Sequence, residues 1–260
     1  MLSYQHAFHA GNLADVQKHA MLAVALDYLT QKDKPLTYIE THAGRGLYTL
    51  TDEAALKTGE AAGGIARLEQ AFAPDHPYRR RLIETRAQNG RDAYPGSPLI
   101  TALTLRPGDT MHLAELHPQE HAALLGVLEP WGAHVRQADG LAMALAICPP
   151  TPRRGLMMID PSYEVKEDYQ SIPKAMQAIH RKWNVGVLML WYPILTSGAH
   201  GTMLNSLTAA FPGASRHEVT FPPLRDGHRM VGSGLFTVNP PYGLQEEAAR
   251  LSAIFNALAV

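Results

Sequence analysis

Asp160, Pro161 and Tyr163 follow directly on the apolar run Leu156-Met157-Met158-Ile159. Gly155 to Ile159 reads as a short central strand, and proline donates no ladder hydrogen bond, so pairing is expected to stop at Pro161. Asp160 then stands at a strand tip with an exposed aromatic, Tyr163, just beyond it, and open α/β sheets hold their ligands at such tips. Three other predicted strands end in a similar way. One ending on Glu40 runs into Thr41-His42-Ala43-Gly44-Arg45-Gly46, a second closes on Glu115, and a third is followed by Asp139-Gly140. Glycine after a strand lets backbone approach a ligand closely, and a tip carboxylate can accept both hydroxyls of a ribose. Any one of these is also ordinary turn chemistry, Asp-Pro-Ser included. Four in succession point to a nucleoside-containing ligand lying across the carboxyl edge of a sheet.

The elements that must position these residues can be read from periodicity. Asn12 caps a helix running through LADVQKHAMLAVALDYL, with Leu13, Val16, Ala20 and Val24 on one stripe and Lys18 and His19 beside it. Strands are predicted at 35–40, 109–115, 134–137, 155–159, 185–192, 216–221 and 233–238, and helices at 118–130, 140–147, 166–182 and 200–210. Alternation of the two implies a mainly parallel sheet covered on both faces. The last two strands are joined without a helical pattern, which implies a hairpin and an antiparallel edge. Residues 47–96 have helix formers, few β-branched residues and breaks at Gly63-Gly64 and Pro74 to Pro77, the pattern of a small helical insertion in a single domain spanning 1–260.

A chain of 260 residues with 46% hydrophobic content can bury a full core. Its 23 basic and 24 acidic side chains leave a net charge of −1, which neither announces nor excludes a polyanion partner. The single Cys148 rules out an internal disulfide framework and fits a reducing cytoplasm. No apolar stretch is long enough for a membrane span, and the start lacks the order of a signal peptide. Thirteen histidines invite a metal, but there is no His-Glu-x-x-His and no cysteine cluster, so no metal is expected.

The order of acidic tips, closed by Asp-Pro-x-Tyr, resembles that of Rossmann-like methyltransferases that use S-adenosylmethionine. In their amino-methylating group the last motif is an acid or Asn, two prolines and an aromatic. Adenine N6 is a poor nucleophile because its lone pair is delocalised into the ring. Accepting its N–H bonds on the Asp160 carboxylate and the Pro161 carbonyl would favour a pyramidal nitrogen aimed at the sulfonium methyl, and Tyr163 could stack on the base. Asn239-Pro240-Pro241-Tyr242 matches the four-letter motif better, but too few residues follow it for the remaining strands, so Asp160 is preferred.

MLSYQHAFHAGNLADVQKHA, ETHAGRGLY, YPGSPLI, ELHP, ADG, RRGLMMIDPSYE, LWYP and NPPY together resemble, in order and over nearly the whole chain, the RlmJ family of bacterial 23S ribosomal RNA adenine-N6 methyltransferases. The resemblance implies a Rossmann-like core with a helical insertion, one target adenine, and recognition of protein-free 23S rRNA by a cytoplasmic monomer. It carries cofactor contacts to His19, His42, Gly44, Ser97, Glu115, Asp139, Gly140 and Asp160, the proton acceptor to Asp160, and substrate contacts to Tyr4, His6 and Lys18. Ser162 departs from the motif's usual second proline, which predicts a less rigid loop with retained activity. Arg79, Arg80, Arg81, Arg86, Arg153, Arg154, Arg225 and Arg229 read either as solvated surface or as phosphate contacts. The competing readings are DNA adenine methylation, a nicotinamide-dependent oxidoreductase, which the missing third glycine opposes, and an RNA-binding module without activity.

Overall fold

The structure is a computed structural model and describes residues 5–222 and 229–258. In chain order its strands are β1 (Thr37–Glu40), β2 (Leu47–Thr49), β3 (Ala93–Pro95), β4 (Thr110–Ala114), β5 (His134–Arg136), β6 (Gly155–Ile159), β7 (Val187–Leu195), β8 (Ser215–Thr220) and β9 (Met230–Val238). Its helices are α1 (Leu13–Thr30), α2 (Glu53–Thr58), α3 (Glu60–Gly63), α4 (Ile65–Leu68), α5 (Pro77–Asn89), α6 (Ser97–Ala102), α7 (Pro118–Leu128), α8 (Gly140–Ile147), α9 (Asp168–Lys182), α10 (His200–Ala210) and α11 (Leu244–Asn256).

Seven strands form one sheet in the order β5-β4-β1-β6-β7-β9-β8. All pairs are parallel except those of β9, which runs against both β7 and β8. This is the expected fold class: a Rossmann-like α/β sheet with an antiparallel edge. The strand order reverses between β1 and β6, which pair from Thr37↔Gly155 to Glu40↔Met158, so their tips stand side by side at the switch point. All five residues of β6 are buried, as a central parallel strand covered on both faces requires.

β7 departs from its predicted end at Tyr192 by continuing through Pro193 to Leu195. Its pairing with β6 stops at Leu190, so beyond that point only β9 is bonded and the N–H that Pro193 lacks has no partner to lose. α1 is buried on almost every side rather than along one stripe, because it packs against α5, α6, α11 and β9. Segment 47–96 holds α2 to α5 and is closed at its base by β2 and β3, paired Leu47↔Pro95 to Thr49↔Ala93. These three-residue strands are too short to leave an alternation signal, and α6 is similarly short. α11 went unassigned from sequence although Leu244, Glu247, Leu251 and Phe255 make its buried stripe. Among the described residues no helix is long and apolar enough to cross a membrane.

Candidate active site

β6 ends where Pro161 ends it, and the Asp160 carboxylate sits at the tip with 13% of its side chain exposed. Its Oδ2 lies 2.6 Å from Lys18 Nζ. Lys18 is brought there by α1, whose Asn12 cap accepts the Asp15 N–H at 2.8 Å. Asp15 Oδ1 takes the same ammonium at 3.0 Å, while its Oδ2 accepts from Gly11 N at 2.9 Å and meets His6 Nε2 at 2.8 Å. Burial opposes charge on Asp15, yet His6 and Lys18 outweigh it and hold the carboxyl well below the usual range. Burial likewise disfavours the Lys18 ammonium, and Asp15 and Asp160 overcome it, raising its pKa above that of an ordinary lysine. Lys18 Nζ also lies 5.5 Å from the centre of the Trp191 ring. Lys18 and His19 are thus interior groups, 4% and 1% exposed, and not the polar helix edge that spacing allowed.

His19 is held by Tyr94, whose hydroxyl is 2.8 Å from Nδ1, and burial pulls its pKa down to about 3, so the ring is neutral. At the tip of β1, Glu40 accepts from Ser97 Oγ at 2.5 Å and from Tyr38 Oη at 2.8 Å. Burial pushes its pKa up to about 8, against the pull of those two hydrogen bonds. The turn that follows carries His42, which sits within the fields of Asp160 and Asp139, although burial wins and lowers its pKa.

Gly44 adopts φ +64° and gives its N–H to Glu115 Oε2 at 2.8 Å. Glu115 Oε1 accepts from His117 N at 2.7 Å, so this carboxylate braces the turn and the start of α7 together. Ionised oxygens accept more than one hydrogen bond each, which leaves capacity for hydroxyls. Asp139 caps α8 by accepting Ala142 N–H at 2.7 Å. Gly140 must be glycine: a Cβ there would fall 1.8 Å from the Thr41 carbonyl oxygen, where α8 abuts the exit of β1.

The structure corrects the exposed aromatic. Tyr163 is 8% exposed with φ +55°, donates from Oη to the Trp191 carbonyl at 2.8 Å, and packs tilted against the Tyr169 ring with centres 4.7 Å apart. Its neighbour Ser162 faces solvent, so the departure from proline removes no core contact. Asn239 is at the opposite edge of the sheet, because β9 runs antiparallel and Val238 pairs with Leu188 near the start of β7. Its Nδ2 donates to the carbonyls of Asn184 and Gly186, both at 2.9 Å. Tyr4 and Arg225 lie outside the described residues.

The α5 arginines also bind within the chain, three as partly buried clamps and Arg80 as an exposed surface pair. Arg79 donates to the Phe72 carbonyl at 2.6 Å, Arg80 pairs with Asp27, Arg81 donates to the Leu103 carbonyl, and Arg86 meets Glu69 at 2.7 Å. Sequence reasoning missed Asp15 as the hub, although its spacing of three and four from Lys18 and His19 was a signal. It placed Glu40 at a strand tip but not its buried bonds to Ser97 and Tyr38, and it passed over Trp191, which nothing local marks. Buried acceptors at adjoining tips, a basic group on one of them and two backbone positions without room for a side chain suit a cationic nucleoside ligand.

A family model described as "Ribosomal RNA large subunit methyltransferase D, RlmJ" matches residues 33–259. The chain is 38% identical over 252 residues to "Ribosomal RNA large subunit methyltransferase J" of Escherichia coli (strain K12), covering 95% of this chain and 90% of that one. It is 36% identical over 253 residues to the protein of the same name from Haemophilus influenzae, with the same coverage. A crystal structure of a Legionella pneumophila protein superposes with a TM-score of 0.86 at 34% identity, covering 96% of this chain and 94% of that one.

Proposed function

Because the chain belongs to the RlmJ family of ribosomal RNA large subunit methyltransferases, we propose that it methylates N6 of one adenine in 23S rRNA and acts on protein-free RNA. The observation that carries the reading is the Asp160-Pro161 step at the tip of β6, beside the tip of β1, with a buried lysine on one carboxylate oxygen.

S-adenosylmethionine, the cofactor of this methyltransferase, supplies an electrophilic methyl carbon on a sulfonium. The residues fit it. Glu115, Asp139 and Asp160 provide acceptors for an ammonium and for ribose hydroxyls, and Gly44 and Gly140 keep backbone free of side chains at two of the tips. His19, His42 and Ser97 belong to the same side in this reading, with Ser97 and His19 acting from buried positions through Glu40 and Tyr94.

Lys18 occupies Oδ2 of Asp160, so Oδ1 remains to accept an N–H of the adenine amine. The Pro161 carbonyl accepts the other. With the cofactor bound, the N6 lone pair would take its methyl as the C–S bonding pair stays on sulfur, and Asp160 would receive the extra proton on nitrogen. Tyr163, anchored on the Trp191 carbonyl, fixes the left-handed turn that aims Pro161; His6 and Lys18 border the substrate side, with Tyr4 placed there by resemblance.

The test is incubation with labelled S-adenosylmethionine and protein-free 23S rRNA, with assembled subunits and duplex DNA in parallel, followed by digestion to nucleosides. Label in N6-methyladenosine from free rRNA alone is expected. Label in another nucleoside, or only in DNA, overturns the reading.

A further inference from the structure

The catalytic edge is rich in carboxylates. Beyond the tips already described, Glu164 and Glu167 are exposed on the loop after Asp160 with Lys166 between them, Arg136 is exposed at the end of β5, and Arg79 and Arg86 of α5 are engaged by partly buried partners within the chain. Carboxylates outnumber exposed cations there, so cations away from the tips would add to the hold on a polyanion. The opposite edge supplies them. The loops entering β1 and β6 lie side by side, stitched by Arg154, which donates to the carbonyls of Lys34 at 3.1 Å and of Leu29. Lys32, Lys34 and Arg153 are exposed on these loops. Their acidic neighbours are Asp33, also exposed, and Asp109, whose charge is taken by Arg106 at 3.1 Å.

Beside these cations stands an aromatic step. Tyr242 is 77% exposed and its ring centre lies 5.8 Å from that of Tyr28, in the last turn of α1. The Asn239 hydrogen bonds to the loop entering β7 fix the chain that presents it, which gives the Asn239-Pro-Pro-Tyr242 sequence a structural purpose away from the catalytic tips. A solvent-facing ring next to lysines and an arginine is the combination that binds single-stranded nucleic acid: bases stack on the ring while the cations follow the backbone.

We propose that this far edge, built from Tyr242, Tyr28, Lys32, Lys34 and Arg153, binds a single-stranded stretch of the RNA whose target adenine lies at Asp160. It rests on the reading of the substrate as ribosomal RNA. The five residues of β6 separate the two edges by about 17 Å, a distance that a folded RNA spans readily.

The experiment compares the wild type with Tyr242→Ala and with Lys32→Glu/Lys34→Glu. Affinity for protein-free 23S rRNA is measured by filter binding across a salt series, together with S-adenosylhomocysteine binding, thermal melting and methyl-transfer kinetics. Each variant is expected to lose roughly 5- to 10-fold in rRNA affinity and in kcat/KM for RNA, with kcat, S-adenosylhomocysteine binding and Tm unchanged. The double lysine variant is expected to lower the slope of log affinity against log salt by about 1.4. Wild-type turnover with variants that bind rRNA equally well overturns the surface alone. A wild type that neither binds nor methylates rRNA overturns the functional reading and this surface with it.

Discussion

Asp160 serves two neighbours, a lysine on Oδ2 and, in the proposed reaction, an amine on the other oxygen. Asp160→Asn keeps an acceptor oxygen but cannot take the proton. It is expected to lower methyl transfer by about 10²–10⁴-fold while calorimetry shows S-adenosylhomocysteine still binding; substantial residual transfer would remove the proton-acceptor role. Glu40 and His19 make opposite contributions to stability. The Glu40 pKa is about 8 in the fold against 4.5 in an unfolded chain, so its contribution is complete below pH 4.5 and is lost as pH rises through 8. The His19 pKa is about 3 against 6.5, so its contribution is complete above pH 6.5 and is lost as pH falls towards 3. The two slopes oppose each other between pH 4.5 and 6.5, leaving Glu40 dominant from 6.5 to 8. Urea unfolding of the wild type should lose roughly 2 kcal/mol over that interval, and Glu40→Gln should flatten it.

At the scale of elements, the cofactor turn is held by contacts to α7 and α8. Gly140→Ala puts a methyl carbon against the Thr41 carbonyl oxygen, a backbone atom that cannot swing aside, so α8 must withdraw from β1. Overpacking of this kind costs about 1–3 kcal/mol or more, and both the unfolding midpoint and S-adenosylhomocysteine affinity should fall. Gly213→Ala, where a Cβ meets open space, is the control and should leave both alone. Arg45 in the turn donates to Glu120 of α7 through Nε at 2.9 Å and Nη2 at 2.6 Å, with Glu120 buried. Glu120→Gln breaks this two-point grip and leaves a partly exposed guanidinium. Its expected signature is a raised KM for S-adenosylmethionine with kcat nearly unchanged; an equal fall in kcat would mean that the pair acts on the reaction itself.

The molecule as a whole depends on α11, which packs on α1 and β8 and reaches the 47–96 segment through His76 and Glu247, 3.1 Å apart. Removing residues 244–260 uncovers partners of Leu244, Leu251 and Phe255, each worth roughly 1.5–3 kcal/mol of burial. That sum rivals the 5–15 kcal/mol that holds a typical domain together, so the truncated chain should show no cooperative thermal transition by circular dichroism.

Sequence alone determined the seven strands of the main sheet, their mainly parallel direction, the Asn12 cap and the acidic tips, because periodicity of apolar residues and the local preferences of Pro, Gly and Asn act within a few residues of chain. Ranges such as 140–147 and 155–159 agree with the structure to the residue. Tertiary structure alone decided which side chains face one another. Whether Lys18 lies on solvent or on Asp160, 142 residues away, depends on what packs around α1. Whether Tyr163 is exposed depends on a carbonyl of β7, and which edge receives Asn239-Pro-Pro-Tyr242 depends on the direction of β9. Burial, charge pairing and strand direction are sums over distant parts of the chain, and no local pattern contains them.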